Sequence, residues 1–133
     1  MMARRLRTGV IALVLLLSTV PARAEDVPAI KNGDMLTGKL RLVQTHHPNG
    51  MPIRAYQIVS TPRKMPADDD FCNYDGPGAT TFHLFTITKA ATSRLRPLLG
   101  KTITVRAGSL FCSETAWHIG DVAVPEWTLV KGK

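Results

Sequence analysis

The sequence predicts a small, mainly β domain, a five-stranded barrel with one short helix between its third and fourth strands. Apolar and polar residues alternate over five separate stretches, a pattern typical of half-buried strands. Glycine, proline and asparagine residues separate these stretches and indicate turns. A single segment, residues 90–99, changes to helical spacing.

A leader precedes this domain. Residues 1–24 begin with a cluster of arginines, continue with an apolar core at 11–20, and end in small residues of the kind found at cleavage sites. The apolar core is shorter than the ~18 residues that a membrane span needs. We therefore expect a signal peptide over 1–24, cut after Ala24, and one mature domain over 25–133. That domain is expected to be periplasmic or secreted, without a transmembrane segment; a retained membrane anchor is the alternative.

The mature domain is only mildly basic. The whole chain has 17 Lys and Arg against 10 Asp and Glu, a formal charge of +7. Removing residues 1–24 removes four arginines and no acidic residue, so the formal charge falls to +3. A positive excess this small argues against nucleic acid as the partner.

The first two strands are predicted to form a hairpin. Residues 35–44 alternate leucine or glycine with polar residues, as a half-buried strand does. Residues 46–51 contain Asn-Gly, a strong turn signal, and residues 53–60 resume as the second strand. A long loop then covers residues 61–79, and Cys72 is in a position to tie it down.

The third strand and the helix follow. Residues 80–88 are rich in aromatic and β-branched side chains, which favour a strand. Residues 90–99 place apolar side chains at helical spacing and are followed by Gly100, a common helix terminator. Pro97 lies inside this segment, so we expect a short helix or one that ends in a 3₁₀ turn.

The last two strands complete the barrel. Residues 101–111 alternate again, with an interruption at Gly108 where a bulge is expected. Residues 121–130 form the fifth strand, in which Pro125 indicates an edge, a break or a bulge. Three strands, one helix and two strands match the order of the oligonucleotide/oligosaccharide-binding (OB) fold, a five-stranded Greek-key barrel. A generic β-sandwich is the alternative.

The two cysteines are predicted to form a structural disulfide. Cys72 and Cys112 belong to a chain expected to reach an oxidising compartment, where paired thiols normally oxidise. A redox-active pair or a metal thiolate site needs closer spacing or further ligands. Closing a loop of about forty residues stabilises the fold by about 4 kcal/mol on the chain-entropy model.

Several motifs lie between residues 36 and 124: L-x-G-x-L at 36–40, LRPLLGK at 95–101, TITV at 102–105, Gly108, Leu110-Phe111, Thr115 and His118. Together they resemble a family of small exported bacterial proteins catalogued as a domain of unknown function. The resemblance implies a periplasmic address and a barrel, and it brings no established activity. The chain departs from the family at Ala107, where it has one extra residue, and in a histidine-rich segment that is here reduced to residues 115–118.

Loop histidines and a tryptophan are the candidate ligand-binding residues. His46 and His47 lie in the predicted first turn, and Trp117 and His118 lie between strands 4 and 5. In the OB fold these two loops border one side of the binding face, so the four side chains are expected to converge. An aromatic ring beside polar donors can stack on a sugar or cover an apolar surface of a partner. A tryptophan folded back over the barrel mouth is the alternative.

These features predict a non-enzymatic binding or interaction module for an unknown periplasmic ligand or protein. The sequence has no nucleophile elbow, paired carboxylates or phosphate loop, so no catalytic residue and no cofactor is assigned. The alternative is a periplasmic zinc- or copper-binding protein that uses His46, His47 and His118. The acidic run at residues 68–70 is interpreted as a solvated turn rather than a calcium site.

We predict that thiol titration of the exported protein, denatured without reductant, detects no free thiol, because Cys72 and Cys112 are bonded to each other. The same sample after reduction is the control and must release both thiols. Two free thiols per chain before reduction would contradict the prediction.

Overall fold

A computed structural model describes residues 9, 11–17, 26–66, 72 and 76–132. Most of the predicted signal peptide, its cleavage position after Ala24, and the acidic run at 68–70 lie outside the described residues. The elements of the described part are β1 (Met35–His46), β2 (Pro52–Arg63), β3 (Ala79–Leu84), α1 (Lys89–Leu95), a 3₁₀ turn (Arg96–Leu98), β4 (Thr102–Cys112) and β5 (Val122–Gly132). Among these residues, none of the helices has the length and hydrophobicity that crossing a membrane requires.

The five strands form a closed barrel in the order β1-β2-β3-β5-β4, with β4 pairing back onto β1. Strands β3 and β5 pair in parallel, Phe82–Leu84 against Val122–Val124, and the other neighbours are antiparallel. This order, with a helix between β3 and β4, is that of an OB-like barrel. The predicted fold class is therefore confirmed.

Strand β3 is shorter than predicted, because it ends at Leu84 rather than at residue 88. The Thr88 hydroxyl accepts a hydrogen bond from the Ala91 backbone N–H and so caps the start of α1. Helix α1 ends at Leu95, and the chain continues as a 3₁₀ turn through Pro97. Proline lacks the N–H that a further helical turn needs, which explains the short helix.

Strands β4 and β5 carry the predicted irregularities. Their register shifts between Ala107 and Ser109, which places a bulge at Gly108. Strand β5 pairs with β3 only as far as Val124, and Pro125 follows at once. A proline is tolerated at this position because the ladder with β3 has already ended.

The core lies inside the barrel and is apolar. Residues of the five strands supply most of it, α1 contributes Leu95, and Ile30 joins it from the segment before β1. Its fully buried side chains are Phe82, Ile30, Leu36, Leu40, Ile58, Leu84, Leu95, Ile103, Val105, Val122 and Val124. Cys112, at the end of β4, is buried and bonded to Cys72 with the two Cα atoms 5.4 Å apart, which agrees with the predicted disulfide.

Gly38 allows β1 to bend from one neighbour to the other. Strand β1 pairs with β4 up to Lys39 and with β2 from Lys39 onward, so the change of partner falls next to Gly38. A Cβ atom at this position would lie 2.3 Å from the backbone oxygen of Val59. The barrel therefore depends on a residue without a side chain here.

We predict that Gly38→Ala destabilises the domain by about 3 kcal/mol, because its methyl group meets backbone that cannot rotate away. Gly108→Ala is the matched control: its Cβ would lie 3.3 Å from the nearest atom, a contact that small shifts relieve. Thermal unfolding by circular dichroism should show a fall of about 10–20 °C for Gly38→Ala and only a small change for the control. Equal melting temperatures for the two variants would contradict this role of Gly38.

Candidate functional site

One row of side chains crosses the outer face of the barrel. The strand register places Arg41 opposite Gln57, Gln57 opposite His83, His83 opposite Ala123, and Ala123 opposite Phe111. Directly opposed residues project to the same side of a sheet. Because the adjacent residues of these strands fill the core, this row projects outward.

The middle of this outer face is covered by the chain itself. Ala55, Gln57 and Ala123 project outward, yet their exposed fractions are 1%, 3% and 0%. Residues 113–121, which join β4 to β5 and which we call the strap, lie against this face. The Gln57 side-chain amide donates a hydrogen bond to the Ile119 oxygen, and the Ile119 N–H donates to His83 Nδ1 at 3.0 Å.

The base of the strap is closed and anchored to β3. The Ser113 N–H donates to the Asp121 oxygen at 3.0 Å, and the Ser113 hydroxyl donates to the Gly120 oxygen at 2.5 Å. The Asp121 carboxylate accepts from the backbone N–H groups of Thr80 and Thr81, at 2.9 Å and 3.2 Å. These bonds fix both ends of the strap at the start of β3.

A compact turn inside the strap presents the tryptophan. His118 Nδ1 accepts from the backbone N–H groups of Glu114 and Thr115 at 3.0 Å and 3.3 Å. The Trp117 N–H donates to the Thr115 hydroxyl at 3.2 Å. These short-range hydrogen bonds hold the turn together without a helix or a strand.

The strap meets the first hairpin turn through a pair of stacked rings. The His47 and Trp117 ring centroids lie 4.0 Å apart with 20° between the planes. The His118 ring packs 5.1 Å from Phe111 and 5.7 Å from Phe85. Trp117 retains 43% exposure, so the indole stays accessible to solvent although it is stacked on His47.

The four residues selected from the sequence are thus not equivalent. His47, Trp117 and His118 belong to one cluster formed by the two loops. His46 is the last residue of β1, lies opposite Pro52 and is exposed. The described ring contacts join His47, and not His46, to Trp117.

His83 is a site residue that sequence reasoning did not select. The alternation of β3 indicates that it points outward, between the buried Phe82 and Leu84. Nothing in the local sequence shows that a distant loop covers it. Burial, and then the charge of nearby His118, lower the pKa of His83 from 6.5 to about 4.

Three imidazoles of this region, His47, His83 and His118, share one hydrogen-bonding pattern. His47 accepts from the Asn49 N–H at 3.1 Å, and His83 and His118 likewise accept from backbone N–H groups, in each case at Nδ1. A neutral ring that accepts at Nδ1 carries its proton on Nε2. In the part of the chain that the structure describes, no group of three or more His, Cys, Asp or Glu residues is placed to hold a metal ion.

Compared with known proteins, the chain matches no family model, no curated protein and no solved structure. The resemblance to the exported family of unknown function therefore stays a prediction, carried by the motifs between residues 36 and 124.

We predict that zinc and copper leave the melting temperature unchanged, because Nδ1 of His47, His83 and His118 accepts a backbone hydrogen bond and Nε2 carries the ring proton, so neither nitrogen offers a free lone pair. A ligand at a hundredfold excess over its Kd stabilises a fold by about 2.7 kcal/mol, so a true site is easy to detect. His118→Ala is the matched variant for thermal melts and calorimetric titration. A micromolar site that this substitution abolishes would establish the metal-binding alternative.

Proposed function

We propose that this chain is an exported, non-enzymatic binding module that presents Trp117 to a periplasmic ligand or protein partner. The observation that carries the proposal is the stacked pair formed by His47 and Trp117, in which the indole keeps 43% of its surface exposed. Two loops that are distant in sequence meet at this pair, on the side of the barrel where OB folds bind ligands.

The position of Trp117 suits it for binding because the ring is held before any ligand arrives. Its backbone N–H is bonded to Thr115, and one ring face is stacked on His47. An immobilised aromatic side chain loses little conformational entropy on binding, and it offers apolar area beside polar groups. A sugar ring or an apolar protein surface fits these properties.

Export is supported by two features of the chain, its apolar leader and its disulfide. The large apolar side chains between residues 11 and 17 are exposed and add nothing to the barrel core. Cys72 and Cys112 form a disulfide of the kind that persists in oxidising compartments. Both features suit a chain whose leader is removed during export.

A binding role without catalysis is supported by how the polar groups of the strap are used. Glu114 contacts His118 through its backbone N–H, not through its carboxylate. The Asp121 carboxylate is bonded to backbone N–H groups of β3. A histidine hydrogen-bonded to a carboxylate, as in a hydrolase that uses histidine as its general base, is therefore not assembled from Glu114, His118 and Asp121.

The test follows Trp117 fluorescence in a Trp127→Phe background, so that all tryptophan emission comes from one indole. The probes are soluble oligosaccharides, short apolar peptides and a single-stranded oligonucleotide, each tested separately. We expect an oligosaccharide or an apolar peptide to shift the emission and to be recovered chemically unchanged. Trp117→Ala should weaken that binding by about 1–3 kcal/mol, measured by calorimetry.

Trp127→Phe alone is the matched control. Trp127 is half-buried and donates its indole N–H to the Phe85 oxygen, so this variant removes a tryptophan away from the stacked pair. It should retain the affinity of the natural chain, and Trp117→Ala should lose only the ~1 kcal/mol of stability that a stacked pair supplies. Equal ligand affinity in Trp117→Ala and the control would refute the proposal.

A further inference from the structure

We propose that His83 is the positioning residue of this site and makes it sensitive to acid: protonation at Nδ1 releases Ile119 and, with it, the strap that carries Trp117. The consequence for ligand binding rests on the function proposed above. The release of the strap does not rest on that function, because it follows from hydrogen bonds within the chain.

Ile119 is held from both sides by outward-facing residues of the barrel. Its N–H donates to His83 Nδ1, and its oxygen accepts from the Gln57 amide. The Gln57 oxygen in turn accepts from Arg41 Nε at 2.9 Å, so the orientation of this amide is set. We call the two hydrogen bonds to Ile119 the clamp. Ile119 lies two residues after Trp117, so loss of one of these bonds frees the segment that carries the indole.

The chemistry of the imidazole makes the His83 side of the clamp a switch. A neutral ring offers a lone pair at Nδ1, whereas an imidazolium carries N–H groups on both nitrogens. After protonation, the Ile119 N–H faces another donor, and the hydrogen bond between them cannot form. On the other side, Ile119 is held by the Gln57 amide, which does not titrate and so stays unchanged.

Burial supplies the coupling between protonation and opening. The closed strap lowers the pKa of His83 to about 4, first through burial and then through the charge of His118. Opening exposes the ring and returns the pKa of His83 toward 6.5. His83 therefore binds a proton more tightly when the strap is open. By linkage, opening is suppressed above about pH 6.5 and becomes progressively more favourable as the pH falls toward 4.

The neighbouring elements limit which other groups take part. The strap brings Glu114, His118 and Asp121 toward this face, and β1 brings Arg41 through Gln57. The residues of β5 and β4 in the same row are Ala123 and Phe111, which do not titrate. His118 accepts at Nδ1 within the strap, so its part in the turn is separated from the role of His83 by a substitution at His118.

The test measures amide hydrogen exchange of the ligand-free protein by NMR at about pH 7 and about pH 4.5. Protection of the Ile119 amide, corrected for intrinsic exchange, should fall about tenfold or more in acid as the strap opens. Protection at Ile58 and Phe82, in the core, should stay high and so exclude global unfolding.

His83→Asn is the informative variant, because the asparagine oxygen can replace Nδ1 as acceptor and does not titrate. It should keep Ile119 protected at both pH values. His46→Asn is the matched control, since it removes an exposed histidine outside the cluster, and it should retain the acid-induced loss. His118→Asn should retain that loss as well, while altering exchange at residues 114 and 115.

The ¹⁵N resonances of the His83 ring in the natural chain provide a second measurement that needs no variant. Protonation of His83 and loss of Ile119 protection should follow one titration curve. A His83 ring that becomes protonated while Ile119 stays protected would overturn the inference, as would an equal loss of protection in His83→Asn.

Ligand affinity separates this inference from the function proposed above. The ligand found by Trp117 fluorescence should bind about tenfold more weakly in acid to the natural chain and equally at both pH values to His83→Asn. Acid release of Ile119 without any Trp117-dependent ligand would refute the proposed function alone. Trp117-dependent binding that acid weakens equally in both proteins would refute the role of His83 alone.

Discussion

Closure of the barrel by a short parallel contact between β3 and β5 is the constraint on which the site depends. Only Phe82–Leu84 and Val122–Val124 make this contact, so β5 must begin beside the middle of β3. Cys112, the last residue of β4, pairs with Val122, so the strap is the loop of the β4–β5 hairpin. Because β5 lies beside β3, Asp121 at the end of this loop is anchored through two backbone N–H groups of β3. Barrel closure therefore places β3, with His83, where the strap can bond to it.

Two layers of different chemistry result from this arrangement. Inside the barrel, apolar side chains exclude water and resist change, and Gly38 allows β1 to curve around them. Outside it, the strap is held by hydrogen bonds to Gln57 and His83 and by ring contacts of Trp117 and His118. The strap therefore opens at a lower free-energy cost than the core does. A binding loop of this kind can respond to conditions that leave the fold intact.

Local patterns in the sequence were sufficient for most of the fold. Alternation located all five strands, Pro97 shortened the helix, and Gly108 marked the bulge between β4 and β5. The early end of β3 was missed because residues 85–88 are as β-prone as the strand before them. The chain leaves the ladder after Leu84 and caps α1 at Thr88, an arrangement that the strand propensity of residues 85–88 does not show.

The sequence by itself determined the elements, their order and the two loops in which the candidate residues lie, because these depend on spacing and turn chemistry along the chain. Only the tertiary structure decided that His47, rather than its neighbour His46, stacks on Trp117, and that His83 lies beneath the strap as an acceptor for Ile119. The partners of that last bond are 36 residues apart in the chain. Barrel closure brings them together, and no local preference of either residue indicates it.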